Sequence, residues 1–376
     1  MSKQVKTPRF YVDMVSFLHT TGQISWDKQK GGADLFYMNH SNPIYRQEES
    51  SETLFLIGHP SDNPPKTSFP INFCALLNHN FASDSNRIEI IGKKGIAEQD
   101  NSNPRLHDNG YSNILNTSSS SDNLNPTFNG TSIFKFTEQN EYWRSFELYY
   151  GDGYNPEVNH QLGSMVVGKY WDTPNSPDLN LTMSRRFDGI KKQKTIGGKT
   201  LANIYYDGPT EWTMNGLDGI YKYPPFELDW ALESDSEIKG LYKTKSGLGR
   251  KGLRSWKLTF SYISEDDMWT AYENSSISPF NTGETGESSI TETDVPTDNS
   301  ESVANQYKPN PMLSDDSFNF VWNCTLGGTL PFIFQPDNTN NNSDQFSICN
   351  FRGNSLSVKQ VAFNTYSLSV TIDEVA

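Results

Sequence analysis

The sequence predicts an all-β protein, made of β-sandwich or jelly-roll units with long polar loops and few short helices. Three observations predict this. Apolar residues alternate in Trp143-Arg-Ser-Phe-Glu-Leu-Tyr-Tyr150, Trp256-Lys-Leu-Thr-Phe-Ser-Tyr262 and Tyr366-Ser-Leu-Ser-Val-Thr-Ile372, the period-2 pattern of a strand with one buried face. Such runs are short and are cut by Gly, Pro and Asn. Of 376 residues, 34% are hydrophobic and 13% aromatic, so flat rings rather than aliphatic chains must fill a thin core. Disordered chains are depleted in aromatics, which argues against disorder here.

Taken in order, residues 9–18 (Arg-Phe-Tyr-Val-Asp-Met-Val-Ser-Phe-Leu) fit either a strand or a short helix with Tyr11, Val15 and Leu18 on one face. Strands are expected at residues 54–57, 71–81 and 87–92. Residues 98–131, rich in Asn and Ser, read as a surface loop or extension. Strands resume at residues 133–136, 143–150 and 162–171, the last flanked by glycines. Residues 179–187 and 200–206 are expected to pair with or flank one another. Tyr223-Pro-Pro-Phe-Glu-Leu-Asp-Trp230 suits a linker or edge, because proline cannot donate to a ladder. Residues 253–263 are a strand, and residues 265–273 a short helix with an acidic first turn that suits the helix dipole. Residues 274–305 have almost no apolar content and are expected to be mobile unless neighbours hold them. Further runs close the chain at residues 318–325, 331–336 and 344–349, with a final strand from Ser355 to Ile372. The expected organisation is a β-rich region over 1–225, a linker over 226–252 and a second sandwich region over 253–376, with a long loop at 274–305.

The formal net charge is −14, which favours solubility and disfavours phosphate backbones and anionic membranes. No nucleic acid is therefore expected as a partner. The basic cluster at Lys191, Lys192 and Lys194, after Arg185 and Arg186, is short and reads as a solvated loop or strand edge. No apolar run approaches the ~18 residues of a membrane span. The polar start, Met1-Ser-Lys-Gln-Val-Lys-Thr-Pro8, lacks a signal-peptide core, so synthesis and folding in a cytoplasm are expected. Cys74, Cys324 and Cys349 form no disulfide framework. Cys74, in an apolar run, reads as a buried free thiol; Cys324 and Cys349 could pair, but an intracellular assembly site would keep them reduced.

Catalytic and metal signatures are weak. His19, His40, His59, His79, His107 and His160 show no zinc-site spacing, and Cys324 has no Cys-x-x-Cys partner. His79 fits a structural role at a strand end. The carboxylate pairs Glu141 with Glu147 and Asp207 with Glu211 are the best candidates for glycoside hydrolysis, but nearness in sequence does not set their distance in space. Gly247-Leu-Gly-Arg-Lys-Gly252 is Gly-rich without a strand leading into it, so it reads as a connector. The oxygen-rich stretch from Asp337 to Asp344 suits calcium chemistry but lacks EF-hand spacing, and an ordinary polar loop explains it. No cofactor and no enzymatic activity are expected. The best binding feature is a set of aromatics beside Gly, Asn or Pro: Tyr150, Tyr154, Trp171, Trp212 and Tyr221, with Tyr149 and Tyr223 near them. Rings with a polar tip suit a subunit interface, and flat rings also stack on sugars. The competing reading is that most of them are core.

Several local features together resemble virion structural proteins of tailed bacteriophages, marine ones among them. These are Phe73-Cys-Ala-Leu-Leu-Asn-His-Asn80 with the run at residues 87–92, and the Trp-Arg strand at 143–150 followed by the Gly-flanked run ending at Trp171. Trp256-Lys-Leu-Thr-Phe-Ser-Tyr262, Leu330-Pro-Phe-Ile-Phe-Gln-Pro-Asp337 and the terminal strand complete the pattern, which covers most of residues 70–376. The resemblance implies a β-sandwich or jelly-roll protein of the virion, in or near the tail, that acts by self-assembly into homo-oligomers and by contact with other phage virion proteins. It carries over no catalytic residue. The alternative is a carbohydrate-binding adhesin or receptor-binding protein of the virion that meets a host surface glycan; a glycan hydrolase is a third reading.

Overall fold

A computed structural model describes residues 5–21, 37–38, 44–46, 53–57, 69–79, 87–93, 111–115, 117–118, 125–126, 130–136, 142–143, 145–151, 160–186, 190–204, 253–269, 317–342 and 345–375. In chain order the strands begin with β1 (Arg9–Asp13), β2 (Ile44–Arg46), β3 (Thr53–Ile57), β4 (Phe69–Pro70), β5 (Phe73–His79), β6 (Arg87–Lys93), β7 (Tyr111–Leu115) and β8 (Thr117–Ser118). Then come β9 (Asn125–Pro126), β10 (Gly130–Phe136), β11 (Tyr142–Trp143), β12 (Ser145–Gly151), β13 (His160–Asp172), β14 (Thr182–Arg186), β15 (Ile190–Lys194) and β16 (Thr200–Ile204). The last are β17 (Leu253–Ser264), β18 (Phe332–Gln335), β19 (Ser347–Phe351), β20 (Val358–Ala362) and β21 (Thr365–Glu374). The described helices are α1 (Met14–Thr20), α2 (Glu265–Met268) and α3 (Phe318–Cys324). The fold is all-β, with antiparallel pairing and few short helices.

A 12-stranded sheet dominates, in the order β14-β17-β21-β19-β18-β1-β13-β5-β10-β7, with β2 joined to β13 and β20 to β21. This order bears on the expected division at 226–252, a stretch that itself lies outside the described residues. β1 pairs with β13 on one side and β18 on the other, and β14 pairs with β17. Strands on both sides of that stretch, β14, β1 and β13 before it and β17, β21, β19 and β18 after it, share one hydrogen-bonded sheet.

The sheet folds over on itself. Trp256 in β17 is in register with Ile372 in β21, and Ile372 with Phe351 in β19. Phe334 in β18 pairs with Ser347, four residues from Phe351. Three strand steps at ~4.8 Å and four residues at ~3.3 Å would set Trp256 and Phe334 roughly 19 Å apart in a flat sheet. Their ring centroids are 5.1 Å apart. The limb carrying β17 and β21 therefore bends back over the limb carrying β18 and β1, as the two layers of a sandwich do. Between them lies the main core. Phe10, Val12, Cys74, Leu76, Phe134 and Val167 meet Trp256, Leu258, Phe260, Leu368, Val370 and Ile372 in one cluster. All three helices add to it, through Met14, Val15, Phe17, Met268, Phe318 and Val321 among others. A second cluster, including Tyr11, Phe73, Ala75, Leu77, Ile133 and Ile333, lies on the other face of β1, β5, β10 and β18. Successive residues of these strands fall in different clusters, as the pleat requires, so β1 and β18 are buried throughout.

Several local expectations are corrected. Residues 9–18 are neither one strand nor one helix: β1 turns into α1 at Asp13, whose carboxylate accepts from the N–H groups of Val15 and Ser16. Residues 318–325, grouped with the closing β-runs, form α3; Ser317 caps it by accepting from the Phe320 N–H. Residues 182–186 and 200–204 do not pair with one another, because β14 is held by β17 and β16 by β15. Part of the expected loop over 98–131 is sheet: β7 pairs with β10 and buries Ile114. The final strand is a hairpin, β20–β21. Residues 265–268 are helical as expected, while 270–273 and the loop at 274–305 lie outside the described residues.

Candidate interaction surface

Many titratable and polar groups of the interior are engaged with one another, while among the described residues the Thr173 hydroxyl and the Asn319 amide nitrogen are buried without a hydrogen-bond partner. Asp13, 2% exposed, also accepts from the Ser16 hydroxyl at 2.5 Å, and burial pushes its carboxyl up to about 6 against the pull of those hydrogen bonds. Arg9 forms a two-pronged pair with Asp172 across the β1–β13 register, at 2.6 and 2.7 Å, and its guanidinium stacks 4.3 Å from the Tyr170 ring. Burial opposes the Arg9 charge, yet Asp172 and Tyr11 raise its pKa above the ordinary value. Tyr11 donates to Gln335 at 2.8 Å, and Gln335 donates to Asn340 and Asn341. In the folded-over limb Arg254 pairs with Glu374 at 2.8 Å; both are buried, and Arg254 also donates to the Phe346 carbonyl.

His79 is fully buried at the end of β5 and bonds Ser132 at 2.9 Å. Burial lowers its pKa to about 3, so the ring stays neutral at physiological pH. Cys74, Cys324 and Cys349 are buried free thiols whose pKa values burial raises. In the oxygen-rich loop, Asp337 accepts from the Thr339 N–H and hydroxyl and pairs with Lys6 at 3.3 Å. Burial would raise its pKa, but Thr339 and Lys6 hold it below the ordinary value. Its carboxylate serves a turn, while Asp344 lies outside the described residues. Among the described residues no group of three or more His, Cys, Asp or Glu is arranged to hold a metal ion, and no helix is long and apolar enough to cross a membrane.

Of the aromatics expected at a surface, Trp171 is corrected. It is 3% exposed, packed between Phe10 and Phe318 at centroid distances of 6.0 and 5.9 Å, because its strand position points it into the main core. Tyr150 lies in β12, in register with Ile88 of β6. Tyr154, Trp212 and Tyr221 lie outside the described residues, as do Glu141, Asp207 and Glu211.

The apolar groups that do face solvent sit elsewhere. Met183 in β14, Tyr262 in β17, Val361 in β20 and Phe363 beyond it are exposed, as are Leu179 and, on the β15–β16 hairpin, Ile196 and Leu201. Tyr262 is 74% and Phe363 90% exposed. Ala362 and Thr365 close the β20–β21 hairpin, leaving Phe363-Asn364 as a two-residue loop with Asn364 at φ 53°. Asn is among the few non-Gly residues that tolerate this left-handed region. The Glu265 N–H donates to the Asn364 carbonyl at 3.2 Å, so the start of α2 abuts the turn that presents Phe363. Phe363 was missed because Val361-Ala-Phe-Asn364 reads as part of one long strand; the Phe-Asn step between two alternating runs is the signal that locates the turn.

No protein-family model, no curated protein and no solved structure matches the chain.

Proposed function

We propose that this protein is a structural component of a phage virion, in or near the tail, working by self-assembly and by contact with other virion proteins. The observation that carries this reading is the set of large apolar side chains exposed on and beside the folded-over limb: Leu179, Met183, Tyr262, Val361 and Phe363. Large rings that interiors would otherwise cover are favoured where two proteins meet. At the sheet end, β14 has all five residues exposed, and such an edge offers backbone groups to another chain. Rotational symmetry then multiplies a modest contact. The resemblance of the strand pattern to tail-associated proteins directs the proposal to a virion.

The test is the mass of the purified chain by sedimentation, followed by electron microscopy. The expected result is a multiple of the chain mass, with rings, tubes or particles in the images. A single chain at high concentration that turns over a sugar polymer would overturn the reading.

A second reading, a carbohydrate-binding adhesin or receptor-binding protein of the virion, rests on the exposed rings of Tyr262 and Phe363. Retention on host surface polysaccharide, lost in Tyr262→Ala with mass and fold unchanged, would favour it.

A further inference from the structure

We infer that the β15–β16 hairpin of one copy docks on the Tyr262–Phe363 surface of a second copy. The inference rests on the self-assembly reading and names the two surfaces that meet.

The hairpin is a two-stranded sheet outside the main sheet. Lys192, Gln193 and Lys194 are consecutive, so they point to both faces of the ribbon, and all three are exposed. Thr200, Leu201 and Ala202 on the other strand are exposed in the same way. A lone two-stranded hairpin is marginal in water, and one exposed on both faces gains little from the body it springs from. Its tip is nevertheless fixed. The Thr195 N–H donates to the Lys199 carbonyl at 2.8 Å, the Lys199 N–H donates to the Thr195 hydroxyl at 3.0 Å, and Gly198 takes φ 79°. At that tip Ile196 is fully exposed. The arm thus presents an apolar knob on a preset turn, which keeps the entropy cost of docking low.

Charge selects the partner. The hairpin, residues 190–204, contains Lys191, Lys192, Lys194 and Lys199 and no acidic residue, a net of +4. The whole chain is −14, so the rest of it carries −18. An arm of this sign is drawn to another copy's body. The best-matched described surface joins exposed rings to acid: the turn presenting Phe363 abuts the start of α2, where Glu265 and Asp266 are exposed, and exposed Tyr262 precedes Glu265 by three residues. Ile196 would meet the rings while Lys192, Lys194 and Lys199 face the carboxylates. A nucleic acid fits less well, because an apolar tip offers nothing to phosphate and a −18 body repels it. Because arm and patch are different surfaces, the contact is head-to-tail, the kind that closes rings or extends tubes.

The test uses full-length chains at salt from about 50 mM to about 500 mM, where screening shortens from over ~10 Å toward ~3 Å. One chain carries Lys192→Glu, Lys194→Glu and Lys199→Glu. Another carries Glu265→Lys and Asp266→Lys. Ile196→Ser is a second arm variant should the first unfold. The wild type is expected to assemble at low salt and dissociate as salt rises. Each charge-reversed chain alone should associate roughly tenfold or more weakly, and mixing the two should restore assembly. If the wild type assembles and the folded arm variants assemble equally well, the arm inference is overturned while self-assembly stands. If the wild type remains a single chain at every salt concentration, the self-assembly reading fails and takes this inference with it. If arm reversal leaves assembly intact but abolishes retention of a labelled DNA oligonucleotide, the arm serves phosphate and the inference is overturned.

Discussion

Asp13 stands where the backbone passes from β1 into α1, and its side chain decides the passage. The alternation of Phe10, Tyr11 and Val12 is strand-like, while Met14, Val15, Phe17 and Leu18 recur at helical spacing; the two signals overlap in one ten-residue window. An Asp between them is a helix-start signal, and giving it full weight would have resolved residues 9–18 from the sequence. What the sequence did not disclose is the burial that lifts its carboxyl to about 6. Unfolded, the group titrates near 3.8. Between those values the folded chain holds a proton that the unfolded chain has released, so Asp13 makes stability fall as pH rises through this window, by up to about 3 kcal/mol. Asp13→Asn keeps a capping oxygen and removes the titration. Relative to wild type, the variant should therefore gain up to about 3 kcal/mol between about pH 3.5 and about pH 7, read from urea midpoints. An advantage that is the same at both pH values would contradict the assignment.

The elements owe their positions to a few close contacts that no alternation pattern reports. Gly168 in β13 faces Asp13, and a Cβ there would lie 2.1 Å from the Val12 carbonyl oxygen and 2.9 Å from the Met14 nitrogen. Gly168→Ala should cost about 3 kcal/mol or more, because backbone rather than a flexible side chain would have to yield. Loss of less than about 1 kcal/mol in a urea titration would show that β1 and β13 are not so closely packed. The folded-over limb is pinned by Arg254 and Glu374, both buried. Arg254→Met should cost about 3–5 kcal/mol by stranding the carboxylate, and adding Glu374→Leu should recover most of that loss. A double variant no more stable than the single one would mean that the pair is not what the limb depends on. The sequence misled at α3 for a specific reason. Phe318 and Phe320 alternate like a strand, but Phe318 with Val321 and Phe320 with Cys324 also share helical faces, and the Ser317 cap decides between the patterns.

At the scale of the whole molecule, the all-β class was legible because period-2 alternation survives in long strands of the main sheet, as the burial patterns of β17 and β21 show. Which strands become neighbours was not legible. β14 chose β17, some seventy residues away, over the nearer hairpin strands, since pairing order depends on long-range packing that alternation does not encode. The surface aromatics suffered likewise. A Trp beside Asp172 looks like a surface residue in sequence, yet Trp171 sits against Phe10 and Phe318, while Tyr262 and Phe363 were placed outside by a bulge-prone strand and a turn. The assembly reading makes its own prediction at this scale: mass should rise with concentration, and the apparent thermal midpoint should rise with it, because association stabilises the folded chain. A midpoint that ignores concentration would speak against association.

The position of β1 also has a temporal consequence. Its five residues lie between β13 and β18, so one flank, Arg9–Val12, waits for residues 332–335 to be made. At ~5–20 residues per second a ribosome needs roughly 15–65 s to cover that interval. Throughout it Phe10, Tyr11 and Val12 lack at least half of their eventual ladder, which leaves an unpaired strand edge open to wrong partners until translation reaches the closing strand.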